Sequence, residues 1–470
     1  MKTKNTAILI FTALTFTLAA CQKAFLDPSL NIDPNNPTKV TSATLLASTE
    51  GLMAYNTGGP LSQFCTLLDQ QTAGAANQFA AYGSYSLPTS AFDAAWTDVY
   101  QYTMGNLVTL RKQADQNGQL YYGGISRVML AYQMAQTTDL WGDVPYSQAF
   151  AGKTSLLTPV FDKQAAIYTS LLSMLDTARN QLSASNGGLI VPGADDFIYK
   201  GQPAAWIKAA NLLKARLYIH LSKVNPAACQ NAINAINAGG LESNADDCTF
   251  TFGTNETNAN PYYQINEQRA GDMDYGGHFA RLLDSLTDPR EDRYITNYNM
   301  ATGTADLGTH FNRADAPVFL LSFAEQNFIL AEAQFQTGNR AAAQAAYYNG
   351  IKASLSKMEE GLPLSATDGR GNIHNPDSSY QAAAKLYLAS NGTLQPGTEM
   401  QQIMTQKYIA LYLNPEAYSD WRRTGFPGLI PNTNSHIPRR FAYPLQEYQY
   451  NGANVPVGVT VYSRVFWDKE

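Results

Sequence analysis

The sequence predicts a mainly α-helical protein built of stacked helical hairpins, with long loops and minor β structure. Three observations carry that prediction. Apolar residues recur at steps of three and four in several windows, a helix–turn–helix pattern runs through Ala324–Leu355, and only two short stretches alternate as strands do. A length of 470 residues would by itself suggest several domains, yet no linker interrupts residues 41–470, which read as one unit. With 45% hydrophobic and 15% charged residues, the chain has fewer charges than the usual quarter, so Asn, Gln, Ser, Thr and Tyr must face water. Such a surface suits neutral ligands. A net charge of −6 and the lack of a basic run argue against nucleic-acid binding, which needs clustered positive charge.

In order, residues 1–20 place Lys2 and Lys4 before the apolar run Ala7–Leu18, which has the length of a signal-peptide core and is too short to span a bilayer. Leu18-Ala19-Ala20-Cys21 resembles a bacterial lipobox, so Cys21 is expected to become a lipidated N-terminus. Two or more acyl chains anchor a protein stably where one does not. Residues 21–40, rich in Pro and Asn, read as an extended tether. Thr41–Asp69 is helical in pattern, and Gln70–Ser90 then reads as a loop with exposed aromatics, Phe79, Tyr82 and Tyr85. A helix is expected from Ser90 or Ala91 through Trp96, Val99, Tyr100, Met104 and Leu107. Another follows over Ile125–Leu140, with Ile125, Val128, Met129, Tyr132 and Ala135 on one face, stopped by Gly142 and Pro145.

Further helices are predicted at Asp162–Leu182 and at Pro203–Leu221, where Pro203 is a start signal. The clearest hairpin has Ala324, Phe328, Ala331 and Phe335 on one stripe, a turn at Thr337-Gly338-Asn339, and Ala341, Ala345, Tyr348, Ile351 and Leu355 on the return. It resembles one tetratricopeptide repeat, a unit that buries its apolar face only by stacking on neighbours. A last helix is expected at Met400–Leu413. Between these lie the polar segments Asn237–Ala270, Tyr294–Ala316 and Gly361–Ser379; loops of such length are often functional. Cys248–Gly253 and the tail Asn451–Trp467 lean toward strand.

Catalytic and metal motifs of the HExxH, GxSxG, CxxC and Walker types do not occur, and His220, His278, His310, His374 and His436 are far apart in sequence. No cofactor or metal is expected. Asp272–Gly277 and Asp368–Asn372 carry alternating oxygens but lack the later glutamate of a calcium loop, and read as turns. Cys65, Cys229 and Cys248 are too few and too unevenly spaced for a disulfide framework; buried thiols are the plain reading, although an oxidising compartment would permit a Cys229–Cys248 bridge. The 28 tyrosines are the outlying feature, many of them in polar segments. An aromatic face packs on the C–H face of a sugar while the phenol and nearby amides bond its hydroxyls. The candidate ligand residues are therefore Phe79, Tyr82, Tyr85, Tyr262, Tyr263 and Tyr275, with Asn77, Gln78, Asn266, Gln268 and Arg269 as polar partners. The Trp141–Tyr146 corner and the arginines of Trp421-Arg422-Arg423 and Pro438-Arg439-Arg440 read as structural.

The helix ending TTDLWGDVPYSQAF resembles the signature of the SusD/RagB family of Bacteroidetes nutrient-binding outer-membrane lipoproteins, in its SusD-like second branch. Asp33–Thr38, Ser285–Arg290 and Asp420–Gly425 are similar to the family too, in its order. The resemblance implies a tetratricopeptide-like scaffold and a surface-exposed lipoprotein at the cell outer membrane. It also implies a glycan or other nutrient as ligand, and a SusC-like TonB-dependent β-barrel transporter as partner. By region, it implies a ligand platform in the loops before the Trp96 helix and before Asp288-Pro289-Arg290. The reading is binding, not catalysis. Its alternatives are a secreted or surface glycoside hydrolase, whose two acids need not be near in sequence, and a helical-repeat adaptor that binds only protein.

Overall fold

The computed structural model describes residues 40–151, 157–360, 378–433 and 436–470. The expected signal segment, Cys21, the expected tether up to residue 39, the expected Asp368–Asn372 turn and most of the Gly361–Ser379 segment lie outside the described residues.

The first helical stretch is two helices. Thr41 caps Ser42–Gly58 by accepting the Thr44 amide, and Gly59 then breaks the helix so that Pro60 can start Pro60–Leu68. The helix expected from Ser90 or Ala91 opens as a 3-10 turn at Thr89–Phe92, becomes α-helical at Asp93, passes through a π-helical segment at Asp98–Met104 and continues as Gly105–Gln116. Leu120–Trp141 starts earlier than its apolar stripe suggested and ends at Gly142 (φ 79°), as predicted. Its Gly124 permits a close crossing, since a Cβ there would lie 2.6 Å from Leu182 Cγ. Gln164–Leu182, Pro203–His220, Phe323–Gln336, Arg340–Glu360 and Glu399–Ala410 match the remaining predicted helices.

These helices pack in sequence order, each on its predecessor, with Ala228–Asn237 bridging from Pro203–His220 to Phe323–Gln336. Pro415–Thr424 ties the late helices back to Pro60–Leu68 and Leu120–Trp141. That helix escaped the periodicity argument because its buried residues include Glu416, Asp420, Arg422 and Arg423.

Charge is accommodated inside by pairing. Arg216 forms a two-pronged pair with Glu325 at 2.6 Å, Lys407 meets Asp420 at 2.6 Å, and Arg423 bridges Asp420 and Glu332. His220 Nε2 lies 2.7 Å from Glu416, and its Nδ1 faces Asp139 and Tyr168. Burial alone would push the His220 imidazole down; the Glu416 and Asp139 carboxylates outweigh it and push it up to about 9. The Trp141 corner and the two arginine motifs are structural, as predicted. Trp141 is buried with its indole N–H on the Ala442 carbonyl, Arg422 donates to the carbonyls of Asp139 and Arg439, and Arg439 pairs with Asp468.

Among the described residues the β structure consists of four antiparallel pairs, 73–74 with 273–274, 144–145 with 161–162, 248–251 with 317–321, and 295–299 with 304–307. Cys248–Thr251 is therefore the predicted strand, whereas the tail is not one. Residues 451–467 run as turns that insert Val455, Val465 and Trp467 into the core, and the Trp467 indole donates to Asp139 at 2.8 Å. Val457, in the same alternating register, is almost fully exposed, so the sequence alternation there marks no continuous buried face. Cys229 and Cys248 are not bridged: both are buried free thiols, as is Cys65.

Candidate functional site

The two predicted ligand segments, nearly 200 residues apart in sequence, do meet. The pairing of Ala73 with Asp274 and of Gly74 with Met273 joins them. What they build, however, is a brace rather than an aromatic platform. The expected Gln70–Ser90 loop contains the helix Asn77–Gly83, and Phe79, Tyr85, Tyr262 and Tyr275 are buried. Tyr262, 2% exposed, shares hydrogen bonds with the hydroxyls of Ser62 (2.8 Å) and Thr66 (3.2 Å). Tyr275 donates to Asn266 Oδ1, and the Tyr85 hydroxyl accepts the Asn432 amide. Asn77 donates to Asp272 at 2.6 Å. Arg269 pairs with Asp272 and lies 5.1 Å over the Phe79 ring. Tyr82 and Tyr263 are half-buried; Asn77, Gln78 and Gln268 keep exposed surface. The Asp272–Gly277 segment is not a simple turn: Met273–Asp274 pairs as a short strand and a helix begins at Gly277, with Asp274 accepting the amides of Gly276 and Ala305.

A different surface has the properties sought. Ala47, Ser48, Gly51, Leu52 and Tyr55 on the Ser42–Gly58 helix form one side of a groove of about 680 Å³, within the range that holds small ligands. The strand edge Phe250–Phe252, the turn carrying Phe197 and Lys200, and Asn258 and Gln264 form the rest. Phe250 stands edge-on to Phe197 (6.2 Å between centroids) and to Phe252 (5.1 Å). Phe197 is 46% exposed and Tyr55 37%. Gly51 leaves the floor open, since a Cβ there would meet only Phe250 Cζ, at 3.7 Å. Burial and the Asp98 carboxylate raise the Tyr55 phenol, which keeps it a neutral O–H donor. Lys200, in the left-handed region at φ 55°, donates to the Phe197 carbonyl at 3.2 Å and sits 5.5 Å from that ring. Apolar faces ringed by Ser48, Thr251, Thr257, Asn258 and Gln264 suit a neutral, hydroxyl-rich ligand, and among the described residues no Asp, Glu, His or Cys lines the groove.

Sequence reasoning missed this groove because Tyr55 lies three residues beyond Leu52 on a helix, where it reads as core, and Phe250 and Phe252 alternate as half-buried strand residues do. Phe197, directly after Asp195 and Asp196, was the available signal. Among the described residues, His220, Glu416 and Asp420 bring possible metal-ligand atoms together. Their oxygens and ring nitrogens are already matched by one another and by Lys407 and Arg423, so cationic side chains occupy the role an ion would take.

Residues 34–444 match the SusD-like family described as "Starch-binding associating with outer membrane". Among solved structures, a chitin-binding protein superposes with a TM-score of 0.77 at 26% identity, over 92% of this chain and 100% of that one. A SusD/RagB family protein from Bacteroides thetaiotaomicron gives 0.76 at 26% identity, over 92% and 99%. A SusD homolog from Bacteroides fragilis gives 0.74 at 23% identity, over 92% and 100%, which speaks to fold alone. No curated protein matches in sequence. No helix among the described residues is long and apolar enough to cross a membrane. With the family matched over most of its length and the helical architecture shared, the chain belongs to the SusD-like family of nutrient-binding proteins associated with the outer membrane.

Proposed function

We propose that the protein captures a neutral oligosaccharide, or another neutral nutrient, in the groove between Tyr55 and Phe197 and delivers it to a SusC-like TonB-dependent transporter. The observation that carries this reading is the groove itself, with exposed rings set among amides and hydroxyls and no carboxylate among its lining residues. Lipidation at Cys21 would hold the protein at the outer membrane, facing outward, and the lipobox-like Leu18-Ala19-Ala20 supports it. Because a chitin-binding protein shares the fold, chitooligosaccharides stand first among the glycans to test.

The test is calorimetry on protein lacking residues 1–21, titrated with chitohexaose, maltohexaose, an acidic oligosaccharide and a short peptide. A saturating heat with one neutral glycan, weakened in Tyr55→Ala and Phe197→Ala, is the expected result. Heat that continues after each injection would mean turnover and a hydrolase. Silence across the panel, with the transporter still co-purifying, would overturn ligand capture and leave a protein-binding adaptor.

A further inference from the structure

We propose that the buried carboxyls of Glu50 and Asp196, which between them accept the amides of the turn 197–201, are the latch that positions Phe197 in the groove wall. The proposal rests on the groove reading above and adds a positioning residue to it. Glu50 and Asp196 are both fully buried, behind the groove and not among its lining residues. Asp196 accepts four N–H groups: the amides of Ile198 (3.1 Å) and Tyr199 (2.8 Å) at Oδ1, and those of Gly201 (2.8 Å) and the Trp206 indole (2.8 Å) at Oδ2. It thereby ties the turn to the buried helix Pro203–His220. Glu50 accepts the next amide, that of Phe197, through Oε2 at 2.6 Å, and so ties the same turn to the helix Ser42–Gly58. The turn is held from both sides, with its peptide groups inside and the Phe197 ring outside. That hold also maintains the left-handed Lys200, a conformation that persists only when its surroundings enforce it.

Glu50 Oε1 is buried with no N–H to meet it. Two adjacent carboxyls away from water do not both ionise. Burial and the neighbouring Asp196 charge push Glu50 up to about 10, so it carries the proton at neutral pH. In that form Oε2 accepts from Phe197 and Oε1 carries the proton. A glutamine amide presents the same acceptor and donor; a methionine of similar volume presents neither.

The experiment compares Glu50→Gln and Glu50→Met, each alone and combined with Phe197→Ala, in the full chain. Chitohexaose affinity and hydrogen exchange of the 195–200 amides are the two readouts. Glu50→Gln should bind within about twofold of the parent and protect the Phe197 amide equally, while Glu50→Met should lose roughly tenfold in affinity and exchange that amide roughly tenfold faster. In the Phe197→Ala background, Glu50→Met should cost no further affinity. Unchanged exchange in Glu50→Met, or a Glu50→Gln variant as impaired as Glu50→Met, would overturn the latch. If Phe197→Ala and Tyr55→Ala leave affinity untouched, the groove reading fails instead, and the exchange measurement still decides the latch.

Discussion

Two aromatic regions of this molecule have similar composition and opposite orientation. Around the 73–74/273–274 bridge, the rings of Phe79, Tyr85, Tyr262 and Tyr275 point inward, and the three phenols among them are engaged by Asn432, Ser62, Thr66 and Asn266. In the groove, Tyr55 and Phe197 each keep a solvent-exposed part of the ring, 37% and 46%. Tyrosine in a polar segment is thus no sign of exposure. What separates the two regions is whether a second layer of chain arrives: the Pro261–Gln268 helix covers the first, and nothing among the described residues covers the second.

The comparison breaks most easily at Tyr262. Tyr262→Ala should cost about 3–5 kcal/mol of stability in denaturant unfolding, because it removes a buried ring and strands the Ser62 and Thr66 hydroxyls. A folded Tyr262→Ala protein with parent stability but no ligand binding would restore the brace as the ligand site. Next comes the pH dependence of the scaffold. The folded His220 is raised from 6.5 to about 9, so its stabilisation, on the order of 3 kcal/mol, is fully present below about pH 6.5 and is lost as pH rises through about 9. Unfolding measured from pH 6 to 10 should show that loss in the parent and a flatter profile in His220→Gln; equal profiles would remove the buried lattice from the account.

Smaller effects sharpen the groove. Gly51→Leu should fill it and weaken glycan binding by roughly tenfold or more with little change in stability, since the new side chain enters open space beside Phe250. Phe197→Ala or Tyr55→Ala should each cost about 1–2 kcal/mol of binding and less than that in stability, because both rings are already partly solvated. Tyr82→Ala, on the half-buried edge of the brace, should shift binding by less than about 0.5 kcal/mol. A tenfold loss there, by calorimetry, would move the site back to where tyrosine content alone had suggested.

The sequence by itself determined the helices with a clean apolar stripe and their stops, among them Gly142 and Gly338, which both adopt the positive φ that glycine admits. It determined the short strand Cys248–Thr251 and the inward roles of Trp141, Arg422 and Arg439. The family resemblance implied, by region, that the segments near 77 and near 266 belong together, and the pairing of 73–74 with 273–274 joins them. Only the tertiary structure decided which way the rings face, that Cys229 and Cys248 stay apart, and that Pro415–Thr424 buries its charges. The physical reason is common to all three. Periodicity reports which face an element would bury. It does not report whether a partner 109 residues away, as Glu325 is from Arg216, arrives to pair a charge, or whether one fails to arrive and leaves Tyr55 and Phe197 open to a ligand.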